Sequence, residues 1–303
     1  MESRLNTTII GITMRPDWTQ PRNAAFYQLD LSKNVHYDSL LNETIKNILQ
    51  EHNVYDYPNE LLLYKSICNY YKIDINKTYI GFGASDILDR LFRILDAKKY
   101  YVVDPCFELV PPQLEYCNKE YKRITFDELD GLQDKDAVLY VAHPNGNDGS
   151  NSCIKDYVHN FKYVISDEVY GDFDNSTSLL HSKIDNVIIV KSMSKSLGLA
   201  GFRVGFCVAN DKIINQLQDI RPLYICTKAS EIIISNVINM TEEVVARMQL
   251  SKSILEKTFQ TVPSSANYIL FKEPNAYTRK HGAKQVGNFY RMALADQESL
   301  CLL

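Results

Sequence analysis

Nothing in this 303-residue chain approaches the roughly 18–20 consecutive apolar residues that a bilayer-spanning helix needs. Its start carries Glu2 and Arg4 among polar residues and lacks an apolar core, which argues against a secretory leader. A basic excess is also missing: 33 Lys and Arg stand against 37 Asp and Glu, a formal charge of −4, so there is no electrostatic footprint for nucleic acid. The seven cysteines, at 68, 106, 117, 153, 207, 226 and 301, are odd in number and scattered. Without a Cys-x-x-Cys pair they argue against a zinc knuckle and a disulfide framework, and point to a reduced, cytoplasmic protein. No Gly-Lys-Ser/Thr is present, so a P-loop is excluded, and Gly81-Phe82-Gly83 lacks the third glycine of a dinucleotide fingerprint. Repeats, low-complexity tracts and Pro/Gly/Ser linkers are absent too.

What remains is ordinary for a soluble enzyme: 45% hydrophobic and 23% charged residues, enough chain for one large domain and a smaller one. Residues 1–35, with Pro16 and Pro21, read as an irregular arm. Apolar spacing predicts helices over 38–52 and 60–72. Tyr79-Ile80-Gly81-Phe82-Gly83 predicts a short strand ending in glycines, and Ser85-Asp86 caps the helix that follows. Short apolar strands are expected at 100–103, 138–142, 163–166, 187–190 and 204–208. Strands alternating with helices indicate an α/β fold whose mainly parallel sheet is covered on both faces. The large domain is expected over 36–220. A helical stretch from about 211, with strands at 268–271 and around 289–294, predicts a smaller α+β C-terminal domain over 221–303.

The most informative segment runs from Ser192 to Gly205. Lys195 lies between hydroxyls after the run Val187-Ile188-Ile189-Val190, and Arg203 follows eight positions later (203 − 195 = 8). An amine that condenses with an aldehyde, beside groups that grip a phosphate, suits pyridoxal phosphate; a strand with a solvated glycine-rich loop is the plain alternative. Gly81-Phe82-Gly83-Ala84-Ser85-Asp86 opens a helix whose free amides favour a phosphate, or is an ordinary tight turn with a cap. Asp167-Glu168, ending an apolar strand, can pair with a protonated pyridine nitrogen or serve as a cap or metal ligand, and Tyr170 can donate to a phenolate oxygen. His143 to Gly149 is either part of this set or a turn that Asn and Gly favour on backbone grounds. Phe107 can stack on a ring or belong to the core. Arg291 can take a carboxylate in two hydrogen bonds or lie solvated on a strand.

In this order the residues resemble the aspartate-aminotransferase superfamily of pyridoxal-phosphate enzymes, class I/II and fold type I. The closest likeness is to its histidinol-phosphate aminotransferase and threonine-phosphate decarboxylase branch. The resemblance runs from about residue 30 to 301, and its most specific element is Ser192-x-Ser194-Lys195 followed by Gly-Leu-Ala-Gly-x-Arg203-x-Gly. It implies a seven-stranded-type sheet, with Lys195 as the lysine that joins the cofactor and moves the substrate's proton. Asp167 falls on the pyridine-nitrogen partner and Tyr170 on the donor to the ring oxygen. Ala84, Ser85, Ser192, Ser194 and Arg203 fall on phosphate ligands, and Phe107 on the aromatic covering the ring. Tyr57 matches a tyrosine that reaches the phosphate of the neighbouring subunit, so a homodimer is implied. Arg291 matches the arginine that binds the substrate carboxylate, and Asn267 the strand start lining that side of the pocket. No metal is implied.

Two departures stand out. Where the family has Asn-Pro-Thr-Gly, this chain has Asn145-Gly146-Asn147-Asp148-Gly149, which puts Gly146 at the ring-oxygen asparagine. Asn147 or Asn145 then takes over, or Tyr170 acts alone. The chain also stops twelve residues after Arg291 (303 − 291 = 12), so the small domain is trimmed. The expected activity is ping-pong amino transfer between an amino acid and a keto acceptor, phosphorylated or plain. The alternatives are a decarboxylase on the same cofactor and a catalytically silent binding module.

Overall fold

The computed structural model describes residues 30–300. Most of the expected arm, residues 1–29, and the last three residues, with Cys301, lie outside the described residues. Seven strands form the main sheet: β1 (Thr78–Gly81), β2 (Lys99–Val103), β3 (Glu120–Ile124), β4 (Asp134–Ala142), β5 (Phe161–Asp167), β6 (Val187–Ser192) and β7 (Gly205–Val208), in the order β1-β7-β6-β5-β4-β2-β3. All neighbouring pairs are parallel except the two involving β7, which runs against both β1 and β6. One end of the sheet therefore gathers the carboxyl ends of β1, β4, β5 and β6 together with the start of β7. In register, Gly205 faces Gly81 on one side and Ser192 on the other, while Ala142 faces Asp167.

Helices α1 (Ser39–Glu51), α2 (Glu60–Tyr71), α3 (Ala84–Ile94), α4 (Val110–Tyr116), α5 (Met193–Ser196), α6 (Asp211–Asp219) and α7 (Lys228–Val237) surround this sheet, and α8 (Thr241–Thr258) follows them. Strand alternation splits its side chains between two faces. Tyr100, Val102, Val138, Tyr140, Ile165 and Val190 pack against Leu88, Leu91 and Phe92 of α3 and Ile213 and Leu217 of α6. Tyr101, Val103, Leu139, Val141, Val164 and Ile189 point the other way, and Ile80 and Phe206 meet α2 and α7 through Leu63, Ile67 and Ile233. Continuous apolar strands are what a sheet buried on both faces requires.

A second, wholly antiparallel sheet has the order β10-β11-β9-β8 and comprises β8 (Thr261–Val262), β9 (Tyr268–Phe271), β10 (Lys284–Val286) and β11 (Phe289–Ala293). It packs Ile269, Phe271 and Met292 on Met248 and Leu255 of α8, and takes Leu31 into the same cluster. Backbone bonds from Tyr37 N to Leu294 O (3.1 Å) and from Asp296 N to Tyr37 O (3.0 Å) tie the segment before α1 to this lobe. Helix α9 (Ala276–His281) lies between β9 and β10, and α10 (Gln297–Leu300) follows β11.

Seven elements exceed the sequence expectation: α4, β3, α5, β8, α9, β10 and α10. β3 is an edge strand whose Glu120, Lys122 and Arg123 face solvent or partners, so it carries no apolar run. α4 begins Val110-Pro111-Pro112, where proline costs nothing because the first-turn N–H groups have no intrahelical acceptor. Among the described residues no helix is long and apolar enough to cross a membrane.

An ion pair with a buried carboxylate also links the start of α1 to α8. Asp38, whose side chain is fully buried, caps α1 by accepting from Leu41 N at 2.8 Å and receives Arg247 Nε of α8 at 2.6 Å. Removing Asp38 takes the close partner from Arg247, leaving it only Glu243 at 3.8 Å, and also deletes a helix cap. Asp38→Ala is expected to cost about 3 kcal/mol, read as a lower midpoint in chemical unfolding; a variant as stable as the parent contradicts the assignment.

Candidate active site

The gathered strand ends open on a cavity of about 340 Å³. Ala84, Ser85, Phe107, Asn147, Asp167, Tyr170, Ser192, Ser194, Lys195, Arg203 and Arg291, all singled out from sequence, line it together. Its floor at one end is the start of α3. Gly83 adopts φ 82°, a conformation that favours glycine, and no side chain caps the helix, so its first N–H groups remain for a ligand. Arg203, held at φ 53° just before β7, reaches across to Phe82 O (3.3 Å) and Ser85 Oγ (3.4 Å). A β-carbon on Gly83 would strike that guanidinium. With the hydroxyls of Ser192 and Ser194, this end is a cradle for a dianion.

At the centre, Lys195 projects from the short helix α5 that follows β6. Its Nζ donates to Asn34 O at 2.6 Å and lies 5.7 Å above the Tyr170 ring. The amine is buried, and that burial, reinforced by the charges of Arg291 and then Arg203, holds its pKa down at about 7. Burial thus outweighs both guanidinium charges.

Asp167 ends β5 and is buried; desolvation raises its pKa to about 6 despite hydrogen bonds from Tyr140 and Val169 N. Tyr140, on the same face of the neighbouring strand, donates to Asp167 Oδ2 at 2.6 Å. Of the acidic pair only Asp167 faces the cavity. Glu168 turns into the protein, where Ser166 Oγ (2.9 Å), Leu179 N (2.8 Å) and Ser178 Oγ donate to it. Among the described residues no cluster of His, Cys, Asp or Glu is arranged to hold a metal ion.

Arg291, in β11, donates to Gly146 O at 2.9 Å, while its buried Nε has no partner among the described residues. That leaves donors for an anion entering from the small-sheet side. Two of the remaining candidates do not line this chain's own cavity. Asn267 is fully buried and does not line the cavity: its side chain turns to His36 (3.5 Å) and its carbonyl accepts from Leu294 N. Tyr57 is 75% exposed and stacked on Tyr224 (ring centroids 4.5 Å apart), away from this chain's own cavity.

Of the two asparagines left open by sequence, Asn147 lines the cavity and Asn145 does not. Both carboxamides donate to loop carbonyls, Asn145 to Pro105 O (2.5 Å) and Asn147 to Cys106 O (2.6 Å). Gly146 gives way to Tyr170: a β-carbon there would lie 2.6 Å from the ring. Sequence reading missed Asn34, Tyr140, Lys33 and Lys284. Asn34 lies in a segment without periodicity, and Tyr140 inside a strand buried on both faces, where neither position carries a pattern.

A family model for aminotransferases of class I and II matches residues 25–300, and the chain belongs to that family. It is similar to the histidinol-phosphate aminotransferase of Clostridium botulinum, with 25% identity over 93% of this chain and 91% of the relative. Among solved structures it is similar to histidinol-phosphate aminotransferase from Sinorhizobium meliloti in complex with pyridoxal-5'-phosphate, with TM-score 0.73 and 15% identity over 91% of this chain and 89% of that one. L-threonine-O-3-phosphate decarboxylase from Porphyromonas gingivalis gives TM-score 0.69 and 16% identity, over 90% and 96% of the two chains. The fold is the expected α/β architecture of fold type I, a seven-stranded sheet with a smaller antiparallel one.

Because the folded pKa of Lys195 lies below the usual 10.5, the unfolded chain binds a proton that the folded chain lacks across the interval from about 7 to 10.5. Stability of the ligand-free protein therefore gains from rising pH in that window. Between pH 7 and 8.5, before the buried Cys207 thiol (pushed up to about 12) opposes the trend, Lys195→Met should flatten the profile by up to about 1.4 kcal/mol per pH unit. Parallel profiles for parent and variant would show that the amine is charged in the fold.

Proposed function

We propose that the chain is an aminotransferase that moves an amino group between an amino acid and a keto acceptor, with pyridoxal 5′-phosphate as cofactor. The observation that carries this is a largely buried amine, with no carboxylate partner among the described residues, and a buried carboxylate lining one cavity beside an anion cradle. The residues fit the group. The start of α3, Ser85, Ser192, Ser194 and Arg203 would hold its phosphate, Asp167 its pyridine nitrogen, Tyr170 its ring oxygen, and Phe107, 41% exposed at the cavity wall, would cover the ring. When bound, this cofactor supplies an aldehyde that accepts amino groups and a cationic ring that draws electrons from the substrate's α-carbon.

Lys195, with its pKa near 7, keeps a large neutral fraction at physiological pH, so Nζ is ready both to attack a carbonyl and to take a proton from Cα. Asp167, which no cation among the described residues pairs, would offset the cost of its burial as the counter-ion of a pyridinium. Arg291 would grip the substrate carboxylate and keep it from being the group that leaves. Lys33 and Lys284 line the same mouth, paired to Asp30 (3.2 Å) and Glu108 (3.6 Å), and favour a further anionic group on the substrate such as a phosphate. Exposed Tyr55 and Tyr57 support a homodimer in which Tyr57 completes the neighbour's phosphate site.

Half-reaction spectroscopy with plain and phosphorylated amino donors, combined with assays for keto product and carbon dioxide, tests the reading. Lys195→Ala should lower turnover at least about a hundredfold. Arg291→Ala should raise KM for carboxylate donors about ten- to a hundredfold, the worth of a charge-assisted pair. Carbon dioxide without keto product would replace amino transfer by decarboxylation.

A further inference from the structure

The least anticipated member of the site is Asn34. It closes the short turn Leu31–Lys33, which Asp30 caps, and stands in the left-handed conformation at φ 56°. It is buried, and three of its groups bear on the cavity. Nδ2 donates to Tyr170 Oη at 2.8 Å, the backbone carbonyl accepts from Lys195 Nζ at 2.6 Å, and Oδ1 is buried with no partner among the described residues. A half-satisfied buried carboxamide is costly, and a fold that keeps one gives up stability to fix its remaining bond.

Tyr170 is confined from the opposite side. A side chain at Gly146 would come within 2.9 Å of its hydroxyl, and the carboxamides of Asn145 and Asn147 are turned to the carbonyls of Pro105 and Cys106. The phenol thus lies between Gly146 and Asn34, and the hydrogen bond to Asn34 is the one that orients its hydroxyl. A phenol has one proton to give and lone pairs to receive with. When the carboxamide donates, the phenol's own proton stays free for whatever occupies the cavity.

We propose that Asn34 is a positioning residue: its side chain aims the Tyr170 proton at the ligand, and its carbonyl parks the Lys195 amine until the ligand takes it. This rests on the reading of the cavity as a pyridoxal phosphate site. The segment carrying Asn34 is bonded through Tyr37 to Leu294 and Asp296, so the same segment joins the small-sheet lobe to the Tyr170 and Lys195 side chains.

Two variants of the full chain separate this role from a structural one. Asn34→Gly keeps the left-handed backbone and its carbonyl but deletes the carboxamide. Asn34→Asp keeps the shape but presents only acceptors, which would draw the Tyr170 proton away from the cavity. The readouts are pyridoxal phosphate affinity and the pH midpoint of the bound cofactor's visible band, with thermal melting of the ligand-free protein as control. A donated proton stabilises negative charge on the ligand oxygen, so its loss should raise the midpoint. Asn34→Gly should weaken affinity about three- to tenfold, the worth of one hydrogen bond, and raise the midpoint. Asn34→Asp should raise the midpoint further, with melting little changed in either. Variants that match the parent in affinity and midpoint, or that differ from it only in melting, overturn the role of Asn34 alone. A parent protein that takes up no pyridoxal phosphate overturns the site reading along with it.

Discussion

The site depends on one constraint: an amine held largely out of water, with no carboxylate partner among the described residues. Lys195 is enclosed at the carboxyl end of the sheet, with the charges of Arg291 and Arg203 bearing on it and a single carbonyl, from Asn34, to receive its hydrogen bond. An ammonium in that place is penalised twice, by desolvation and by like charge, and the fold answers by letting the proton go. The same two guanidiniums that repel it are free to hold anions at opposite ends of the cavity. Binding and activation therefore follow from one placement of charge.

That placement follows from topology. Six strands end, and one begins, along a single side of the sheet because β7 alone is reversed, between β1 and β6. The reversal brings Arg203 opposite the start of α3 and sets Lys195 in the turn between two paired strands. His36, buried near the lysine, is pushed down to about 3 by burial and so adds no further positive charge. Asp167 is treated in the opposite sense. Burial lifts it to about 6, and the Tyr140 hydroxyl, not a charge, is its main support.

Much of this is legible in the amino-acid sequence. The strands that deliver Asp167 and Ser192 are continuous apolar runs, and Ser192-x-Ser194-Lys195 with Arg203 carries its chemistry within a dozen residues, so local pattern suffices. The pocket's other contributors are not readable that way. Asn34 meets Tyr170 across 136 positions, from a segment with neither period nor motif. Tyr140 is one of several buried residues in β4, and only the stagger against β5 makes it Asp167's partner. Asn267 shows the converse: its position at the start of β9 suits the pocket wall, but its side chain turns toward His36. Lys284 is brought to the mouth only by its pairing with Arg291 across the β10–β11 register.

The claim on which everything turns is that the amine at 195 is the one that captures the aldehyde. Adding pyridoxal 5′-phosphate to the ligand-free protein, reducing with borohydride and mapping the modified peptides by mass spectrometry tests it directly. The account predicts one dominant label, on Lys195, that is lost in Lys195→Met. A label spread over surface lysines, or an unmodified Lys195 in a protein that has bound the cofactor, would contradict it.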